Sequence, residues 1–260
     1  MNARPLPAAT TSRRHAPRAL LLPMLVALLA CAGPSAHRLA AQGTATETFS
    51  YTPNLPIPDN STVGVSSTQT VSSALVTITG LVVTLDVTGG FNGDYYAYLV
   101  HNTGPGGTGF AVLLNRVGRT GINAFGYSDN GFSSVRFNDN PLATTSGDIH
   151  NYQTASNPNG SALSGGLWQS DGRNVNPNSA VDTSPRGAFL TSFNGLDPNG
   201  TWTLYIADLS AVGNGTFTGW GLEITGMVVP EPGSGLLALL AAGACGVAVP
   251  AWRRRAARKK

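Results

Sequence analysis

Between Ala74 and Thr88 the chain reads Ala-Leu-Val-Thr-Ile-Thr-Gly-Leu-Val-Val-Thr-Leu-Asp-Val-Thr. Within it Leu81, Val83, Leu85 and Val87 recur at every second position. A period of two belongs to an extended strand with one apolar face and one wet face, and no helical period competes with it in the middle of the chain. The same alternation returns in Trp202, Leu204 and Ile206, and again in Trp220, Leu222 and Ile224, with a turn-rich Asp208 to Gly215 between them. That pair reads as a hairpin with a long loop.

Further strands are expected at Tyr95 to His101, Phe110 to Asn115, Phe132 to Phe137 and Ala188 to Phe193, separated by clusters of Gly, Asn, Asp, Ser and Pro. Many short strands at this spacing predict an all-β fold, a jelly-roll-like antiparallel β-sandwich. Pro53, Pro56 and Pro58 make an extended lead-in that cannot pair as a central strand. Asp148 to Pro185 has little periodicity and much Asn, Ser and Gly, and reads as long surface loops.

The two ends have another character. Arg4, Arg13, Arg14 and Arg18 precede the apolar run Ala19 to Ala30, the pattern of a secretory signal peptide. Cleavage is expected after Ala41, with Ala32 as the alternative; Leu28-Leu29-Ala30-Cys31 also resembles a lipoprotein box. At the other end Val229-Pro230-Glu231-Pro232 leads into an uncharged apolar run, Gly233 to Trp252, and then Arg253-Arg254-Arg255-Ala-Ala-Arg-Lys-Lys. Twenty residues of helix reach about 30 Å, the thickness of a bilayer's hydrocarbon, and the basic cluster resists translocation. The sandwich is thus expected between an N-terminal signal helix and a C-terminal transmembrane helix.

Pro-Glu-Pro, span and basic cluster together resemble a PEP-CTERM sorting signal. That resemblance implies an exosortase as partner and Val229, Pro230, Glu231, Pro232, Arg253, Arg254 and Arg255 as the sorting residues. The expected organisation is a signal peptide (1–41), an extended linker (42–56), the sandwich (57–226), the motif linker (227–232), the span (233–252) and a basic cytoplasmic tail (253–260).

Charge follows this division. Residues 43 to 228 hold five Arg, no Lys and twelve Asp or Glu, a net of −7, although the whole chain is at +3. The central part repels phosphate backbones and tolerates cations, so nucleic acid is excluded as an expected partner. Both cysteines, Cys31 and Cys245, lie in the ends, so the sandwich has no disulfide.

Four stretches carry a second resemblance: Ile57-Pro58-Asp59-Asn60; Val87 to Tyr95, with Gly93-Asp94 just before a strand; Val112 to Gly118; and Phe193-Asn194-Gly195 with Asn199-Gly-Thr-Trp-Thr-Leu204 and Gly219-Trp-Gly-Leu222. In this order they are similar to the P (Homo B) domain of the proprotein convertase type. The family is a β-sandwich that accompanies subtilisin-like proteases and recurs without them in bacterial surface proteins. Trp202 and Trp220, on inward positions, are expected to anchor the core. Gly89-Gly90 replaces the usual polar and aromatic residues after the first long strand.

The chemistry candidates are few. His101 and His150 are expected in surface or capping roles, and no Gly-x-Ser-x-Gly elbow occurs. Gly104-Pro-Gly-Gly-Thr-Gly109 satisfies a dinucleotide pattern but leads into Phe110-Ala-Val-Leu-Leu, so it reads as a hairpin loop. Zinc has no ligand spacing. Calcium takes loop oxygens, and one reading is a loop site using some of Asp94, Asp129, Asp139 and Asp208; the other is that these residues make Asx-turns, the default of Asp beside Gly.

Three functions compete. The first is an exported, non-catalytic cell-surface or extracellular-matrix module, membrane-anchored and then processed, meeting extracellular polysaccharide or surface proteins. The second is an accessory domain that stabilises a separate subtilisin-like protease. The third is a hydrolase with His150 and Asp in the 148–185 loops.

Overall fold

The computed structural model describes residues 43–229. The signal peptide, Pro230-Glu231-Pro232, the apolar run and Arg253-Arg254-Arg255 lie outside the described residues. Among the described residues no helix is long and apolar enough to cross a membrane.

Eleven strands follow one another: β1 (Thr44–Tyr51), β2 (Leu55–Ile57), β3 (Val65–Val71), β4 (Leu75–Gly89), β5 (Tyr95–Asn102), β6 (Thr108–Asn115), β7 (Gly131–Phe137), β8 (Leu163–Ser164), β9 (Leu167–Trp168), β10 (Gly200–Asp208) and β11 (Gly215–Val228). One sheet runs β1-β11-β4-β7-β8, with β2 also on β11 and β9 also on β7; the other runs β3-β10-β5-β6. Pairing is antiparallel except where β8 and β9 meet β7. The fold is a β-sandwich of two antiparallel-rich sheets.

β4 shows how the pattern builds the core. Leu81, Val83, Leu85 and Val87 are buried. Ile78 is buried as well, three residues before Leu81 rather than two. The register against β11 slips there, from Gly80 opposite Thr225 to Ile78 opposite Gly226, and this bulge resets the alternation so that both sides of it face inward.

Trp202 and Trp220 are both buried, but β10 and β11 do not form a hairpin. β10 lies between β3 and β5, whereas β11 lies between β1 and β4 in the other sheet. Alternation shows which face a strand buries and says nothing of whether its neighbour lies beside or opposite it. The tryptophans therefore sit on different sheets. The Trp220 Nε1 donates to Ser67 Oγ of β3 at 3.0 Å, a hydrogen bond across the layers. Trp202 stacks on Phe193, with centroids 5.3 Å apart, and on His101 at 3.9 Å.

Other differences have equally local causes. β1 lies within the segment read as a linker, because its mostly polar, Thr-rich sequence hides a strand that pairs along β11. Leu190–Phe193 is a turn of 3-10 helix rather than a strand, with its first amide held by Asp139 Oδ2 at 2.8 Å. The 148–185 region is not a set of surface loops: Ile149, His150, Tyr152, Trp168, Asp171 and Arg173 within it are buried. The hairpin loop expected at Gly104 to Gly109 is present and joins antiparallel β5 and β6.

Candidate functional site

His101 and His150 are fully buried, which corrects their expected surface or capping roles. His101 points inward from β5, with Nε2 2.7 Å from the Asp197 carbonyl oxygen and Nδ1 3.1 Å from that of Thr201. His150 sits in a 3-10 segment, Ile149–Thr154, with Nδ1 2.8 Å from Asp171 Oδ2 and Nε2 2.9 Å from the Arg119 carbonyl oxygen. A base beside a carboxylate suggests a hydrolytic pair, yet both ring nitrogens are already occupied. Arg173 closes the cluster, donating to Asp171 Oδ1 at 3.1 Å and to Asp148 Oδ2 at 2.9 Å. Burial disfavours this guanidinium's charge, but Asp171 and Asp148 outweigh it and hold its proton more tightly than usual. The cluster is a structural ion network, which polar loop residues do not announce in sequence.

The four aspartates proposed as calcium ligands are divided. Asp129 accepts from the Tyr152 hydroxyl and Gln153 Nε2 at 2.6 Å each, and from the Gly160 amide at 2.7 Å. Asp139 accepts from Ser170 and from the Leu190 amide. Both carboxylates thus take part in loop closure, each in a different part of the sandwich. Among the described residues no three His, Cys, Asp or Glu side chains converge to hold a metal ion.

Asp94 and Asp208 stay together at one end of the sandwich, where β5 begins and β10 ends. Asp94 closes a short 3-10 turn, Asn92–Asp94, and its carbonyl oxygen accepts the Leu209 amide at 3.0 Å. The Asp208 carbonyl oxygen accepts the Ser61 amide at 2.7 Å, which draws the β2–β3 loop to the same end. Arg116, just after β6, donates from Nη2 to Asp94 Oδ1 at 3.2 Å and to Ser210 Oγ at 2.5 Å, and from Nε to the Gly93 carbonyl oxygen at 3.0 Å. It does so from a left-handed backbone, φ +53°, a conformation in which a non-glycine residue is held by its surroundings.

Asp208 is the least compensated group here. It is fully buried, its Oδ1 accepts the Ser210 amide at 3.2 Å, and its Oδ2 has no hydrogen-bond partner among the described residues. Burial, with Asp94 and Asp59 adding like charge, pushes its pKa up to about 6 against the pull of the Ser210 amide and Arg116. Burial also raises Asp94, with Ser210 and Arg116 opposing.

A cavity of about 480 Å³ opens beside this cluster. Asp94, Ser210 and Asn60 supply its polar lining, and Phe91, Phe125 and Tyr127 its aromatic lining. Its β6–β7 wall is seated on Gly93: a Cβ there would come within 2.2 Å of the Phe125 carbonyl oxygen, so only glycine permits the approach. Of these residues, only Asp94 was expected at a site. Arg116 and Phe91 fell within the family-like stretches without an assigned role. Phe125 left one signal, a large apolar residue in the turn-rich run Gly121-Ile122-Asn123-Ala124-Phe125-Gly126.

No family model matches the sequence, and no curated protein matches it. Among the solved structures that resemble the chain are two of a bacterial serine protease. The first is the serine protease of Aeromonas sobria in complex with its chaperone, 13% identical, with a TM-score of 0.39, covering 78% of this chain and 29% of that one. The second is the serine protease of Aeromonas sobria by itself, 13% identical, with a TM-score of 0.37 and coverages of 71% and 27%. This chain spans less than a third of the length of either, and the fold assignment rests on its own strand pairing.

Proposed function

We propose that the chain is an exported, non-catalytic binding or structural module of P (Homo B) type, carried by its N-terminal signal to the cell surface or extracellular matrix. Its PEP-CTERM-like tail anchors it in the membrane until an exosortase processes it. The observation that supports this most is the state of the acid–base groups: His101 and His150 are buried with both ring nitrogens occupied, so neither reaches a substrate as the molecule stands. The exposed end instead offers an aromatic-lined cavity with Asp94 in its wall, a place where a ligand can be held.

Gly93-Asp94 stands just before β5, and Trp202 and Trp220 lie inside the sandwich, which supports the reading. Fractionation of the native host tests the reading. The chain is expected in the envelope and medium, and a form lacking residues 230–260 only in the medium. Recovery from the cytosol, or peptide or glycan turnover lost on His150→Ala, contradicts it.

A second reading, an accessory domain for a separate subtilisin-like protease, is favoured by the exposed apolar residues Val63, Ile122, Phe125 and Val212. Co-purification with such an enzyme from the native envelope supports it, and recovery without one contradicts it.

A further inference from the structure

Three loops meet at the acidic end: residues 58–64 between β2 and β3, 116–130 between β6 and β7, and 209–214 between β10 and β11. Each contributes to the cavity lining, through Asn60, Phe125 and Tyr127, and Ser210. Each also carries a large apolar side chain held out in solvent, with Val63 at 79% exposure, Ile122 at 102%, Phe125 at 76% and Val212 at 69%. Four of the seven exposed large apolar residues of the described chain thus lie on the three loops that supply the cavity's lining, with Phe125 in its wall. Scattered apolar residues on a surface are ordinary, whereas a group of them around an opening marks a place where another protein sits.

Val212 shows that the rim is held rather than loose. It is β-branched and sits at φ +80°, a backbone region such residues avoid unless their surroundings hold them there. Its amide donates to Asp59 Oδ2 at 3.2 Å, which ties the third loop to the first.

The carboxylates at this end bear on what enters: Asp94 lines the cavity, and Asp59 and Asp208 lie close enough to act on its charge without lining the cavity themselves. Asp59, Asp94 and Asp208 stand against the guanidinium of Arg116, which Asp94, Ser210 and Gly93 already hold, and against Arg119, which donates to the Pro177 and Asn178 carbonyls. The local balance is negative, and the buried Asp208 Oδ2 lacks a hydrogen-bond partner within that group. Aromatic rings on the walls favour a cation further, because the face of a π system is electron-rich. Neither feature selects a neutral ligand.

We infer that this end of the sandwich docks a partner protein that inserts an arginine or lysine side chain into the cavity between Phe91, Phe125 and Tyr127, toward Asp94, while the apolar rim seals around it. A buried basic anchor within a water-excluding apolar ring is the usual anatomy of a binding hot spot. The inference rests on the binding-module reading and adds the chemistry of its partner.

The test is titration of the ¹⁵N-labelled full-length chain with acetyl-Gly-Arg-Gly-amide, followed by amide chemical shifts. Saturable shifts confined to residues 125–128 and 209–212 are expected, together with Phe91. They should be absent with the citrulline peptide, which keeps the shape and removes the charge. Phe125→Ala, at an exposed position that folding does not need, should weaken binding at least threefold, Asp94→Asn at least tenfold, and Glu47→Gln not at all. No shift with the arginine peptide overturns the inference, as do equal shifts with the citrulline peptide. Shifts at these residues with glucose or calcium chloride, but not with arginine, overturn it too. Such a failure leaves the export reading intact, since that stands on fractionation.

Discussion

Asp208 makes a prediction with a definite sign. Its folded pKa of about 6 lies above the ordinary carboxylate value near 4, so the native state binds its proton more tightly than the unfolded chain. Stability from this group is therefore highest below about pH 4 and declines as pH rises to about 6, by about 3 kcal/mol in all. Asp208→Asn keeps an acceptor for the Ser210 amide and removes the titration. Its melting temperature should exceed that of the parent by an amount that grows from pH 4 to pH 6 and then levels off. A difference independent of pH contradicts the assignment. Trp202 is the complementary case at this scale. It is fully buried between His101 and Phe193, with its Nε1 donating to the Pro198 carbonyl oxygen at 3.0 Å. Trp202→Ala should cost about 3–5 kcal/mol in urea unfolding, and a loss under about 1 kcal/mol would mean that the ring is not packed between His101 and Phe193 in the core.

Among the elements, two ion pairs of the same chemical type should behave differently. Arg173 is buried with Asp171 and Asp148, and removing it strands their charge. Arg173→Met should cost about 3–5 kcal/mol. The pair Arg136–Glu223 is 2.7 Å long but more than two-fifths exposed on both sides, so water screens it, and Arg136→Met should cost under about 1 kcal/mol. Equal losses in urea unfolding would contradict this account of the 148–185 region. The same contrast explains what was legible in the sequence. β4 and β5 announced themselves because each buries one face and wets the other, whereas β6, buried on both faces from Ala111 to Asn115, showed as a short apolar run between turn residues. The assignment of β10 and β11 to opposite sheets did not, because period two fixes a face and not a neighbour. The ion network around Arg173 was hidden for another reason: polar residues that satisfy one another in the interior carry the composition of a loop. At the acidic end, Asp94 was legible from Gly-Asp before a strand, while Phe125, Tyr127 and Ser210 come together only through tertiary contacts.

As a whole molecule, the protein combines an acidic sandwich with two strongly basic, apolar ends, and the division of charge is the physical basis for reading those ends as delivery signals. The sandwich has a layered core and an internal ion network, with its open chemistry gathered at one end. Delivery and docking are in this account the work of different parts of the chain. Intact mass measurement of the mature protein from its native host tests that division most directly. The account predicts an N-terminus after residue 41 and a C-terminus near Pro230 to Pro232. A protein that keeps both Met1 and Lys260 would contradict it.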